Sequence, residues 1–170
     1  MKTILATLLL VFTFAGITQA QKFAYVDTEY ILDNIPEYKD AQKKLDELSK
    51  AWQKEIEDKY AEIDKMYQSY QAEQILLTDE MKTKRENDIV EKEKAVKDIQ
   101  KQRFGTDGEL FKKRQELIKP LQDKVYNTVK EIADEGSYAC MFDKAGTNML
   151  YANSKYDKSD EVLAKMGYKK

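Results

Sequence analysis

The sequence predicts an α+β, mostly helical protein: a long antiparallel, coiled-coil-like helical hairpin projecting from a small β body that oligomerisation completes. Three observations lead there. Two charge-rich, heptad-like runs, 37–77 and 78–104, meet at Leu77-Thr78-Asp79-Glu80. Short aromatic, strand-like segments lie outside these runs, at Lys22 to Asp27, Tyr138 to Phe142 and Met149 to Ala152. Three short strands with one terminal helix make a small core, so their edges call for other copies of the chain.

The first residues set the compartment. Lys2 supplies a positive start, Ile4 to Ala15 an apolar stretch, and Thr18-Gln19-Ala20 a small-residue cleavage site, so 1–20 reads as a signal peptide. The apolar stretch is shorter than the roughly 20 residues a spanning helix needs. Residue 21 is Gln rather than Cys, which argues against a lipidated N-terminus. The mature chain of 150 residues is therefore expected in the periplasm.

Composition narrows the chemistry. The chain has no His and one Cys, Cys140, which removes the usual general base, the commonest metal ligand and any intrachain disulfide. No catalytic, metal or cofactor-binding residue is expected, and the chain does not read as an enzyme. Cys140, between Ala139 and Met141, reads as a small buried hydrophobe. Without the leader's Lys2 there are 28 basic and 31 acidic residues, a net of −3, with signs interspersed. This is not the footprint of a nucleic-acid binder.

Along the chain, residues 21–36 form the first part of the body. Asp27 or Thr28 can cap a short helix over Glu29 to Asn34, and Pro36 with Glu37 opens a new one. Residues 37–108 form the arm. Leu45, Leu48, Trp52, Ile56, Tyr60, Ile63, Tyr67 and Tyr70 recur at a mean spacing near 3.6, and about 40 such residues make a rod of about 60 Å. Thr78 is a good N-cap at the tip, near 77–80, although the absence of Gly and Pro leaves a continuous helix as the alternative. The second run carries a thinner stripe, Met81, Ile89, Val96, Ile99 and Phe104, and Gly105 to Gly108 interrupts it.

Residues 109–170 return to the body. Leu110 to Ile132 carry a denser apolar face with a kink expected at Pro120, and Gly136 reads as the helix C-cap. Tyr138 to Phe142 and Met149 to Ala152 read as paired strands around a turn at 143–148. Ser159 then caps a final helix, Asp160 to Met166, stopped by Gly167.

In this order the segments Lys22-Phe23-Ala24-Tyr25-Val26-Asp27, Ile35-Pro36-Glu37, Leu77-Thr78-Asp79-Glu80-Met81, Gln115 to Leu121 and Glu131 to Tyr138 resemble the Skp/OmpH family of periplasmic chaperones. The resemblance implies a jellyfish-like homotrimer, with a β-barrel body and three hairpins around a cavity. It implies an ATP-independent holdase for unfolded outer-membrane proteins. The well-known members are strongly basic, whereas this chain is slightly acidic, so membrane or lipopolysaccharide contact is not carried over and electrostatic capture of clients is expected to be weak.

The outer half of the arm concentrates amphipathic and flexible side chains suited to varied clients: Tyr60, Met66, Tyr67, Tyr70, Ile75, Leu76, Leu77 and Met81. For Ile63, Tyr67 and Tyr70 packing in the hairpin seam is the favoured reading; Met66 and Leu76 flank the stripe and are preferred for contact. Phe23, Tyr25, Val26, Tyr138, Cys140, Phe142 and Leu150 are the candidates for the oligomer core. A structural spacer of the cell envelope, holding no client, is the alternative function.

Overall fold

The computed structural model describes residues 21–168, so the expected signal peptide lies outside the described residues. The element order is β1 (Lys22–Val26), α1 (Thr28–Asp33), α2 (Pro36–Glu73), a 3-10 turn (Gln74–Leu76), α3 (Asp79–Phe104), α4 (Glu109–Gly136), β2 (Tyr138–Asp143), a second 3-10 turn (Ser154–Tyr156) and α5 (Ser159–Lys165). Residues 32–124 form one compact unit; those up to Ile31, with Val125 onward, form another.

The first unit is built on α2. Pro36 opens this helix, Ile35 before it is extended (φ −95°, ψ 113°), and 38 residues follow without a break. Its first turns pack Ala41 and Leu45 with Ile118 of α4, flanked by Tyr38, Leu110 and Leu117. Its later turns pack Ile56, Ile63 and Tyr70 with Ile89 and Val96 of α3, flanked by Met66, Leu77 and Ile99. One helix thus serves two partners in succession. The buried seam positions Ile56, Ile63 and Tyr70 recur at a spacing of seven, as do Ile89 and Val96, so the paired part obeys a heptad rather than the looser 3.6 average expected from the apolar residues.

The switch of partner falls at the α3–α4 break. Gly105 ends α3, its N–H bonded to Lys101 O at 2.8 Å, and Gly108 O receives the N–H of Lys112 at 3.1 Å as α4 begins. A Cβ on Gly108 would lie 2.8 Å from Gly105 N and 2.9 Å from both Arg103 O and Gln102 O. These are backbone atoms and cannot rotate away. Beside the break, Trp52 meets Phe104 edge-on at 6.2 Å, and the Arg103 guanidinium lies 4.7 Å over the Trp52 ring while pairing with Glu109 and, at 3.9 Å, with Glu55. Gly108→Ala is therefore expected to destabilise this unit by about 1–3 kcal/mol. Trp52, the chain's single tryptophan, reports it: the urea midpoint read by its fluorescence should fall, and an unchanged midpoint would show the break to be more pliable than its backbone contacts indicate.

The second unit holds a two-stranded parallel sheet, with Phe23 opposite Cys140 and Tyr25 opposite Phe142. A parallel pair needs a long crossover, and the helices between the two strands supply it. The expected strand Met149 to Ala152 is not formed. Asp143 closes the preceding turn on itself, accepting from Ala145 N–H at 3.1 Å through its side chain and from the Thr147 hydroxyl at 2.8 Å through its carbonyl. The other side of β1 is engaged by Asp157, which bridges to Tyr25, and by Lys158, whose N–H reaches Tyr25 O at 2.9 Å. Residues 149–152 thus have no strand partner among the described residues.

Two caps also differ from expectation. Ser159 does not cap α5; its hydroxyl accepts from Asp27 N–H at 2.8 Å and donates to Asp157 at 2.6 Å, so a buried side chain is used to join remote segments. At the end of α4 the left-handed residue is Ser137 (φ 52°), not Gly136. Gly136 leaves room for the Tyr138 ring, which would have to shift to admit a Cβ there. The cap of α1 is Asp27, which accepts from Tyr30 N–H at 3.0 Å.

Candidate functional site

The distal end of the hairpin gathers the residues suited to holding another chain. α2 stops at Glu73 rather than running to Leu77; Gln74–Leu76 tighten into a 3-10 turn and Leu77 is extended (φ −87°, ψ 143°). Thr78 then caps α3, its hydroxyl accepting from Met81 N–H at 3.3 Å, with Asp79 and Glu80 at the positive end of the helix dipole. The turn is held from both sides: Leu77 packs against the seam, and Arg85 Nη2 crosses to Glu73 Oε2 at 3.0 Å.

This anchoring leaves Ile75 and Leu76 in solvent, at 91% and 83% exposure. A branched or long aliphatic side chain so exposed gains nothing from the fold of its own chain. Met81 is half-exposed beside them. Val90, next to the buried Ile89, is also exposed; sequence reasoning omitted it because it lies off the apolar stripe, and only the register of the seam shows which of two adjacent residues faces out.

The remaining candidates divide. Tyr70 is buried in the seam, and Met66 packs against it, so Met66 is a seam residue rather than the exposed flank that the stripe suggested. Tyr60 and Tyr67 sit on the rim, exposed. Tyr67 donates its phenol to Glu93 at 3.1 Å, and Tyr70 donates to Glu86, so both bind carboxylates of α3.

Those two hydrogen bonds are the first cause holding both phenols un-ionised above their ordinary value of 10.0, with desolvation second. A raised folded-state pKa means the neutral phenols stabilise the hairpin fully below about pH 10, and this contribution is lost as pH climbs past it. In an alkaline absorbance titration Tyr67→Phe and Tyr70→Phe should each remove part of the late phase; removal from the early phase instead would show the carboxylate contacts absent in solution.

The other unit carries the candidates for self-assembly. Tyr25 and Val26 are buried within the chain, whereas Phe23, Phe142 and Leu150 are exposed and Tyr138 is partly so. Cys140 is also exposed, as is Ala139 before it on β2, so it is not the buried hydrophobe expected. Phe23 and Phe142 stack at 6.4 Å, and with Tyr25, Tyr138, Tyr151 and Tyr156 they line an open cleft of about 730 Å³. Among the described residues no group of three or more Cys, Asp or Glu is placed to hold a metal ion, and no helix is long and apolar enough to cross a membrane.

A long antiparallel helical hairpin with an exposed apolar tip, in a chain that also carries a small parallel sheet with uncovered aromatic residues, defines a mostly helical α+β protein. The family model of the OmpH-like outer membrane proteins matches residues 22–166, and the chain belongs to that family. Its fold is similar to that of a candidate outer membrane chaperone (OmpH-like) from Caulobacter crescentus CB15, with a TM-score of 0.69 and 11% identity over 88% of this chain and 86% of that one. No curated protein matches the chain.

Proposed function

We propose that this chain is an ATP-independent holdase of the periplasm, which binds unfolded outer-membrane β-barrel proteins between helical arms and keeps them from aggregating before membrane assembly. The observation that carries the reading is the pair Ile75 and Leu76, held in water by a capped and ion-paired turn. Family membership and the likeness to the Caulobacter protein support it. An unfolded barrel protein exposes many alternating apolar strands, and retaining it calls for several weak contacts over a wet surface.

Self-association into a homotrimer completes the proposal. The uncovered Phe23, Phe142 and Leu150, with the unpaired residues 149–152, are what a shared β body would bury. No catalytic role is included.

The test is aggregation of a urea-diluted outer-membrane barrel protein, followed by light scattering with purified mature chain and no nucleotide. Scattering should fall to near baseline at about one oligomer per client. Unchanged scattering across a wide excess would favour the envelope-spacer reading over the holdase.

A further inference from the structure

Met81 sets the tip apart chemically from the rest of the chain. It is 50% exposed, whereas Met66, Met141, Met149 and Met166 are each partly covered, Met66 against the hairpin seam and Met149 in the wall of the aromatic cleft. A thioether is oxidised where an oxidant reaches its sulfur, so exposure puts Met81 first among them.

Its place in the tip matters as much. Met81 is the third residue of α3 and lies five positions after Leu76, across the turn that leaves Ile75 and Leu76 in solvent. The Thr78 hydroxyl accepts from Met81 N–H at 3.3 Å and Thr78 O from Lys82 N–H at 2.9 Å, so the helix start is held without the Met81 side chain. A sulfoxide oxygen carries partial negative charge, which the positive end of α3 accepts as it accepts Asp79 and Glu80. Oxidation there alters the contact surface and spares the fold.

We propose that Met81 is an oxidation site through which a hydroperoxide weakens client retention at the tip. The effect on clients rests on the holdase reading; the preferential oxidation of Met81 does not. A lone pair on Sδ attacks one oxygen of hydrogen peroxide, so that the S–O bond forms as the O–O bond breaks. The displaced hydroxide takes the proton left on the transferred oxygen and departs as water; sulfur is oxidised by two electrons and the peroxide reduced by two. A flexible apolar side chain thereby becomes a polar one beside Ile75 and Leu76, and a client that covers it must strip water from the sulfoxide.

The test treats the full mature protein with dilute hydrogen peroxide, quenches it, maps oxidation by peptide mass and repeats the barrel-protein scattering assay. Met81 should be converted roughly fivefold faster than any other methionine. The oxidised protein should need about fivefold more chain for the same protection, with helix content unchanged. Methionine sulfoxide reductase with thiol should restore protection and thiol alone should not, which separates Met81 from the exposed Cys140. Met81→Leu, whatever its own starting level, should protect equally before and after peroxide. Conversion of all methionines at one rate, recovery with thiol alone, or an equal loss in Met81→Leu overturns the assignment. Full protection by protein converted at Met81 overturns the effect on clients alone, and no protection before any peroxide overturns it along with the holdase reading.

Discussion

The double substitution Ile75→Glu with Leu76→Glu should abolish most of the retention of unfolded clients while leaving the fold untouched. Neither side chain packs against its own chain, so helix content and unfolding midpoint should move by no more than about 0.5 kcal/mol. The loss lies in the complex. Fully burying an aliphatic side chain contributes about 1.5–3 kcal/mol, and a client that covers two of them incompletely gains about 1.5 kcal/mol from the pair, roughly tenfold in affinity per arm. In the proposed trimer, arms acting together would multiply that loss. Light scattering should show client protection only at about ten times the wild-type concentration or more, and wild-type protection by the double variant would remove the tip from the mechanism. Met66→Glu provides the contrast: it packs against the seam, so it should lower the unfolding midpoint before it affects any client.

The parts of the structure that sequence reasoning reached are those whose causes are local. Thr78 accepts from an amide three residues away, and Pro36 fixes its own backbone and that of Ile35, so both helix starts could be placed from neighbouring residues alone. Gly105 and Gly108 likewise act within a few residues. Where a distant segment decides, the sequence was less informative. Tyr60 and Tyr67 fall on the apolar stripe and Met66 beside it, yet the register imposed by α3 sets Met66 against the seam and the tyrosines on the rim. Ser159 looks like a cap until Asp27, far off in sequence, presents its amide. Strand pairing is of the same kind: Met149 to Ala152 has strand-like composition next to β2, but the strand that β2 pairs with is β1, from the far end of the sequence. For the tip, composition marked the region; separating seam from surface required the heptad phase.

That phase yields the largest expected change in stability. Ile89 is buried against α2, and Val90 beside it is exposed. Ile89→Ala removes three carbons from the middle of a narrow seam, where the cluster of Ile56, Ile63, Tyr70 and Val96 has few other side chains to close the gap. A cost of about 2–5 kcal/mol is expected, the range for large-to-small changes at buried positions. Because the seam cluster is distinct from that of Ala41, Leu45 and Ile118, the loss should be regional. Amide exchange should accelerate in the later turns of α2 and throughout α3, while the first turns of α2 keep their protection. Val90→Ala, one residue along, should change stability by less than about 0.5 kcal/mol and leave exchange as it was. Equal effects from the two substitutions would mean that the seam register in solution is not the one described. The pair also bears on the proposed function, because an opened seam no longer holds the Leu77 side of the tip turn, and Ile75 and Leu76 would lose the fixed presentation that the proposed client contact requires.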